Sequence, residues 1–301
     1  MKKTYIYILI AVLLVVCVIV FGNTQKDNGN SEKKNVTTSF YPMYIAAINL
    51  TDGINELEVN NLTQKSTGCV HDYTLTPEEM IKLSTSDVFV VNGSGMESFL
   101  NKVMENYTEL NVVDTSLGLE TLEEEHGVNP HTFESIEKYI LQVENLKQGL
   151  VKAFPEYEEK IENNAETYMS SLNSLKEYAH TKLDKFSGEK VVALHEAFEY
   201  FAADFGLNVM AVIEEEEGAS ASATEITRII SEAKKNGVRA IVVDEASNTN
   251  TASVISSETG VQQVTFDTTI YGEMYKNAYI DAMYKNVDNI AKVLEEIEYG
   301  V

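Results

Sequence analysis

The chain has 301 residues, with 47 acidic against 23 basic side chains, a formal charge of -24 and a sequence pI near 4.5. So acidic a chain repels nucleic acid and anionic lipid headgroups, which excludes both as expected partners. Two cysteines, Cys17 and Cys69, leave no disulfide framework for a folded domain, so stability must come from a hydrophobic core.

Lys2 and Lys3 precede an apolar run from Tyr5 to Phe21, the pattern of an export signal. The run is long for a cleaved core and short for a membrane span, which needs about 20 residues. Cys17 sits inside it after Val16, a poor residue for a lipoprotein signal. It is either a degenerate lipidation site or an ordinary apolar residue of an uncleaved anchor. Both readings place the folded part outside the cytoplasm, held at the outer face of the cell membrane. Residues 1–22 are thus a signal peptide or anchor, and 23–34, polar and without apolar periodicity, a flexible linker.

About 265 residues follow, enough for two ordinary domains. Strands are expected at 36–40, 57–62, 88–91 and 110–113, with a helix over 42–50. Thr76-Pro77-Glu78-Glu79 is a capping box that opens a helix to about Ser84. Gly93 and Gly95 end the third strand before a helix expected from Met96. Strands separated by helices imply right-handed crossovers and a parallel sheet.

Helical periodicity then dominates, over 134–153 and 155–184. In the second segment Ile161, Ala165, Tyr168, Leu172, Leu175, Ala179 and Leu183 form one apolar stripe. Thirty helical residues would extend about 45 Å, longer than one small lobe is wide. The alternation resumes with strands at 190–194, 207–213, 238–243 and 261–266 and a final helix over 277–297. The expected fold is α/β, two lobes (35–154 and 187–301), each a parallel four-stranded sheet flanked by helices, joined by a spine helix at 155–186.

Five histidines occur: His71, His126, His131, His180 and His195. His71, His131 and His195 lie in loops or at strand ends. His195 and Asp267 directly follow expected strands, where ligands bind in parallel α/β sheets. Three imidazoles and a carboxylate suit Zn²⁺ or Mn²⁺. The four positions match no short metal motif, and a histidine taken singly is more often a hydrogen-bonded loop residue than a ligand.

Five runs occur in order: Ser39-Phe40-Tyr41-Pro42-Met43-Tyr44, Gly68-Cys69-Val70-His71-Asp72-Tyr73, Asn92-Gly93-Ser94-Gly95-Met96-Glu97, Asn129-Pro130-His131 and His195-Glu196-Ala197-Phe198. Together they resemble the zinc/manganese solute-binding proteins of ABC transporters (cluster A-I, ZnuA/TroA-like). The resemblance implies a non-enzymatic receptor with two α/β lobes about a spine helix. It implies His71, His131, His195 and Asp267 as metal ligands, Asp267 resting on the least distinctive local sequence. Zn²⁺ is the implied cargo, because manganese-type members usually carry glutamate where His195 stands; Mn²⁺ is the alternative. The implied partner is the importer's membrane permease, and a monomer is expected. Some members of the family are surface adhesins, a role on which the sequence is silent.

Other features read more plainly. Glu123-Glu124-Glu125-His126 reads as a solvated acidic turn, against a poor version of the metal-gathering loop of zinc-type relatives, and Glu214 to Glu217 as a solvated loop open to transient cation contact. Cys69 reads as a buried structural thiol rather than a thiolate ligand, and His180 as a structural residue of the spine. Asp72 and Glu196 follow ligand histidines and could fix an imidazole tautomer, and Asp244 and Glu245 are alternative carboxylates. A metallohydrolase would need an open coordination position and a general base, and H-E-x-x-H, a nucleophile elbow and a phosphate loop are all missing. A receptor for iron chelates or cobalamin would need aromatic or arginine groups, and the chain has no tryptophan and few arginines.

Overall fold

The computed structural model describes residues 33–63, 73, 75–100, 109–124, 127–213, 221–245 and 250–299. The expected anchor, residues 23–32 of the expected linker, His71, Cys69, Asp72, His126 and the 214–217 acidic run lie outside these residues, whereas Lys34, the last residue of that linker, begins the first strand. Residues 34–301 form one compact unit. Among the described residues no helix is long and apolar enough to cross a membrane.

The first half contains β1 (Lys34–Thr38), α1 (Tyr41–Leu50), β2 (Leu57–Asn61), α2 (Pro77–Ser84), β3 (Val88–Val91) and β4 (Asn111–Asp114). The strands make an all-parallel sheet in the order β2-β1-β3-β4. The capping box is present: Thr76 Oγ1 accepts from Glu79 N–H, and the Glu79 carboxylate accepts from Thr76 N–H. Of the helix expected from Met96, the first residues form a turn leading into a 3-10 turn at Ser98–Leu100, and 101–108 lie outside the described residues. Gly93 and Gly95 adopt φ of 82° and 89° and Ser94 φ of 53°. The buried carboxylate of Glu97 holds this turn, accepting from Asn92 N–H at 2.7 Å and Gly93 N–H at 3.0 Å.

A short antiparallel ladder pairs β5 (Glu123–Glu124) with β6 (Gly127–Val128). Then come a 3-10 turn (Thr132–Glu134), α3 (Ile136–Ala153) and α4 (Glu158–Leu183), the last flanked by single 3-10 turns at Pro155–Tyr157 and Asp184–Phe186. Ser135 caps α3 through Lys138 N–H, so Glu134 falls before the helix rather than in it. All seven residues of the expected α4 stripe are buried.

The second half runs β7 (Lys190–Ala193), α5 (Phe198–Asp204), β8 (Asn208–Val212), α6 (Ala223–Asn236), β9 (Ala240–Asp244), α7 (Asn250–Thr259), β10 (Gln262–Phe266) and α8 (Ala278–Tyr299). Its sheet, also parallel, has the order β8-β7-β9-β10, the same topology as the first. In both sheets the first strand lies between the second and the third, which creates the crevice where ligands collect.

One hydrophobic core crosses from lobe to lobe. It joins Val36, Val88 and Val113 of the first sheet to Val191, Val242 and Val264 of the second through the α4 stripe and Tyr279, Met283 and Val287 of α8. Tyr139 stacks on Tyr279 with ring centroids 3.8 Å apart, and each hydroxyl finds a backbone carbonyl, of Pro42 and Phe133 respectively. A smaller cluster fills the outer face of the second sheet.

Candidate metal centre

His131 sits between β6 and α3, entirely buried, as the residue that opens the 3-10 turn. Asn129 builds this corner. Its Oδ1 accepts from His131 N–H at 3.1 Å and lies 3.0 Å from His131 Nδ1. Its side-chain amide donates to the Glu196 carbonyl, and its own carbonyl accepts from the Tyr200 hydroxyl at 2.7 Å. Glu196 Oε1 lies 3.2 Å from the same His131 Nδ1. Two acceptors at Nδ1 place the imidazole proton there and leave the lone pair on Nε2, the tautomer that can ligate a cation. Glu196 thus serves the histidine across the crevice.

His195 leaves the end of β7 through Leu194. Its ring meets that of His131 edge-on, centroids 5.1 Å apart. His195 Nδ1 accepts from Ala197 N–H at 3.1 Å. A neutral ring held in this way carries its proton on Nε2, the opposite tautomer to His131.

Asp267 follows β10 and is held at both ends. Its N–H donates to Asn286 Oδ1 and its carbonyl accepts from the Asn286 amide, both at 2.8 Å, while Oδ1 accepts from Thr269 N–H at 2.9 Å. Partial burial raises its carboxyl above the ordinary range and the Glu245 charge adds to this, against the Thr269 N–H and Lys285. Asp267 and Thr269 line a pocket of about 280 Å³ with Tyr41, Tyr271, Tyr275 and Lys285, where the two lobes face each other. Gly272 leaves room for the Tyr41 ring, since a Cβ would lie 2.5 Å from its hydroxyl and force it to shift.

A residue that sequence reasoning passed over stands between these groups. Glu134, three positions after His131, is fully buried, and its Oε1 accepts from the Thr269 hydroxyl at 3.1 Å. Burial holds its carboxyl well above the usual carboxylate range, and the charges of Asp267 and Asp244 push in the same direction. In the sequence it reads as an ordinary acidic residue at a helix start. Only the apolar character of its neighbours Phe133 and Ile136 hinted at burial.

The remaining candidates separate. Asp244 Oδ1 accepts from the Thr268 hydroxyl beside Asp267, whereas Glu245 pairs with Lys285 at 2.7 Å on the surface. His180 is engaged by Asp184 at 2.8 Å and Glu137 at 3.5 Å, and its ring packs on Phe205. The structure therefore brings His131 and His195 together and ties the Asp267 loop to the His131 turn through Thr269 and Glu134. Among the described residues no group of three or more His, Cys, Asp or Glu is assembled tightly enough to hold an ion. The fourth expected ligand, His71, lies outside those residues.

Comparison with known proteins bears on the family and the fold. The sequence profile described as "Zinc-uptake complex component A periplasmic" matches residues 36–293. The manganese-binding lipoprotein MntA of Halalkalibacterium halodurans is 26% identical over 303 residues, covering 95% of this chain and 97% of its own. The high-affinity zinc uptake system protein ZnuA of Bacillus subtilis is 24% identical over 310 residues, covering 95% and 96%. Among solved structures, FpvC of Pseudomonas aeruginosa in complex with Ni²⁺ superimposes with a TM-score of 0.79 at 26% identity, over 88% of this chain and 98% of that one. With a family match that spans both lobes and the helix between them, the chain belongs to the family of zinc-uptake complex component A.

Proposed function

We propose that the protein is the extracytoplasmic receptor of an ABC importer, which captures one Zn²⁺ between its lobes and delivers it to the membrane permease. It is a binding protein and not an enzyme. The observation that carries the reading is the pair His131 and His195: two imidazoles in edge contact at the crevice, one of them buried with its tautomer fixed by Asn129 and Glu196. His71 and Asp267 complete the proposed ligand set, and a predominantly imidazole set favours zinc.

The two histidines enter the loaded state differently. His131 already offers Nε2. For His195 to ligate through Nε2, its proton must move to Nδ1, which then no longer accepts from Ala197 N–H. Loading therefore resets the 195–197 turn at the head of α5, a local change by which a permease could distinguish loaded from empty receptor. Acid should expel the ion, because imidazolium cannot ligate; binding weakens as pH falls through the ordinary histidine range. An N-terminal membrane tether and a monomeric state complete the proposal, resting on the apolar run at 5–21 and on the two-lobed fold.

Manganese is the second reading, favoured by the buried carboxylate of Glu134 beside the site. Native mass spectrometry of the full chain released from detergent, stripped by chelation and exposed to equal Zn²⁺ and Mn²⁺, tests both. One zinc per chain, lost in His195→Ala, is the expected result. Manganese uptake would overturn the cargo, and no uptake at all the receptor reading.

A further inference from the structure

Glu134 has no explanation in the fold. Its side chain is fully buried, Oε1 accepts from Thr269 Oγ1, and Oε2 has no hydrogen-bond partner among the described residues. No lysine or arginine among those residues pairs with it. A buried carboxylate oxygen left in this state is costly, and proteins retain such groups where function requires them. The residue that holds it is itself strained. Thr269 is β-branched yet adopts φ of 45°, a left-handed conformation rare for such a side chain. In that conformation its hydroxyl reaches Glu134 while its N–H reaches Asp267 Oδ1 at 2.9 Å. One threonine thus sets two carboxylates side by side, one on the His131 turn and one on the loop after β10.

We propose that Glu134 is an additional oxygen donor of the metal site, its Oε2 reaching the bound ion alongside Asp267, and that it admits manganese to a site whose imidazoles favour zinc. The proposal rests on the receptor reading above. Oxygen donors and higher coordination numbers suit manganese, whereas four donors in a tetrahedron suffice for zinc. Glu134 therefore sets how far the receptor discriminates between the two, and Thr269 is the positioning residue that aims it.

The test compares the full chain in detergent with Glu134→Gln, a near-isostere that keeps an acceptor for Thr269, and Glu134→Leu. Manganese binding is read from loss of the electron paramagnetic resonance signal of aqueous Mn²⁺, and zinc binding by competition with a chromophoric chelator. Coordination is read from the visible absorption of bound Co²⁺, weak in higher-coordinate sites and intense in tetrahedral ones. In both variants manganese affinity should fall by about tenfold or more while zinc affinity changes by less than about threefold. The Co²⁺ band should rise from weak to intense. An unchanged Co²⁺ spectrum, or equal changes for the two ions, overturns the proposal. A wild-type chain that binds none of the three ions overturns the receptor reading and this proposal with it.

Discussion

Gly149 decides how α3, the helix that begins just after the His131 turn, lies on the first sheet. A Cβ added at Gly149 would fall 2.4 and 2.6 Å from the two methyl groups of Val113 on β4 and 3.1 Å from its Cβ. Two effects oppose each other in Gly149→Ala. Alanine in a helix interior is favoured over glycine by about 1 kcal/mol. Against it stands overpacking, which costs about 1–3 kcal/mol when the neighbour cannot yield. Val113 cannot easily yield: it is β-branched, stiff at χ1 and only 7% exposed. The clash should win, with a net loss of about 1 kcal/mol. The decisive comparison repeats the substitution in a Val113→Ala background, where the obstructing methyls are gone and the same change should stabilise by about 1 kcal/mol. Urea denaturation of the metal-free chain and its three variants supplies the cycle, with an expected coupling of about 2 kcal/mol. If Gly149→Ala stabilises the wild-type background, or has the same sign in both, this account of the helix-to-sheet approach is wrong.

Two other outcomes follow from single contacts. Burial pushes the Asp204 carboxyl up to about 6, against the Ser135 hydroxyl that donates to it at 2.6 Å. A raised carboxyl stabilises the fold below its unfolded value of 3.8 and loses that contribution as pH rises through about 6. Asp204→Asn should therefore gain stability relative to wild type between those limits and hold the gain above them, as thermal melts at pH 4, 5, 6 and 7 would show. Glu196→Ala removes one of the two acceptors at His131 Nδ1 and should weaken metal binding by about tenfold with little effect on the melting of the metal-free chain. An equal loss of affinity and stability would instead make Glu196 structural.

Much of the architecture was written in periodicity. The α4 stripe and the eight core strands could be read because apolar residues recur at the helical period or run unbroken through buried parallel strands, and their ends shift by only a residue or two. The start of the helix expected from Met96 was misplaced because Glu97 turns back to accept from Asn92 and Gly93, a contact that apolar periodicity does not register. The β5–β6 ladder is too short to leave a pattern. At the site, His131 and His195 were visible through their motifs and their places after chain elements. Glu196 was singled out as a tautomer-fixing acceptor without a named histidine, and only the fold shows that it reaches His131. Glu134 left only a hint of burial in its apolar neighbours, since its contact is with Thr269, 135 positions away.

The core that runs unbroken from one sheet to the other has a consequence for unloading. Wide opening would expose the Tyr139–Tyr279 stack and the α4 stripe, which makes it a costly route for escape of the ion. At the proposed site, residence time is then set at the rim, by the 195–197 turn and the loop after β10, whose backbone is held by side-chain hydrogen bonds rather than by a strand ladder. A transporter that empties the receptor has only to loosen those two segments, and amide exchange should find them opening orders of magnitude faster than either sheet.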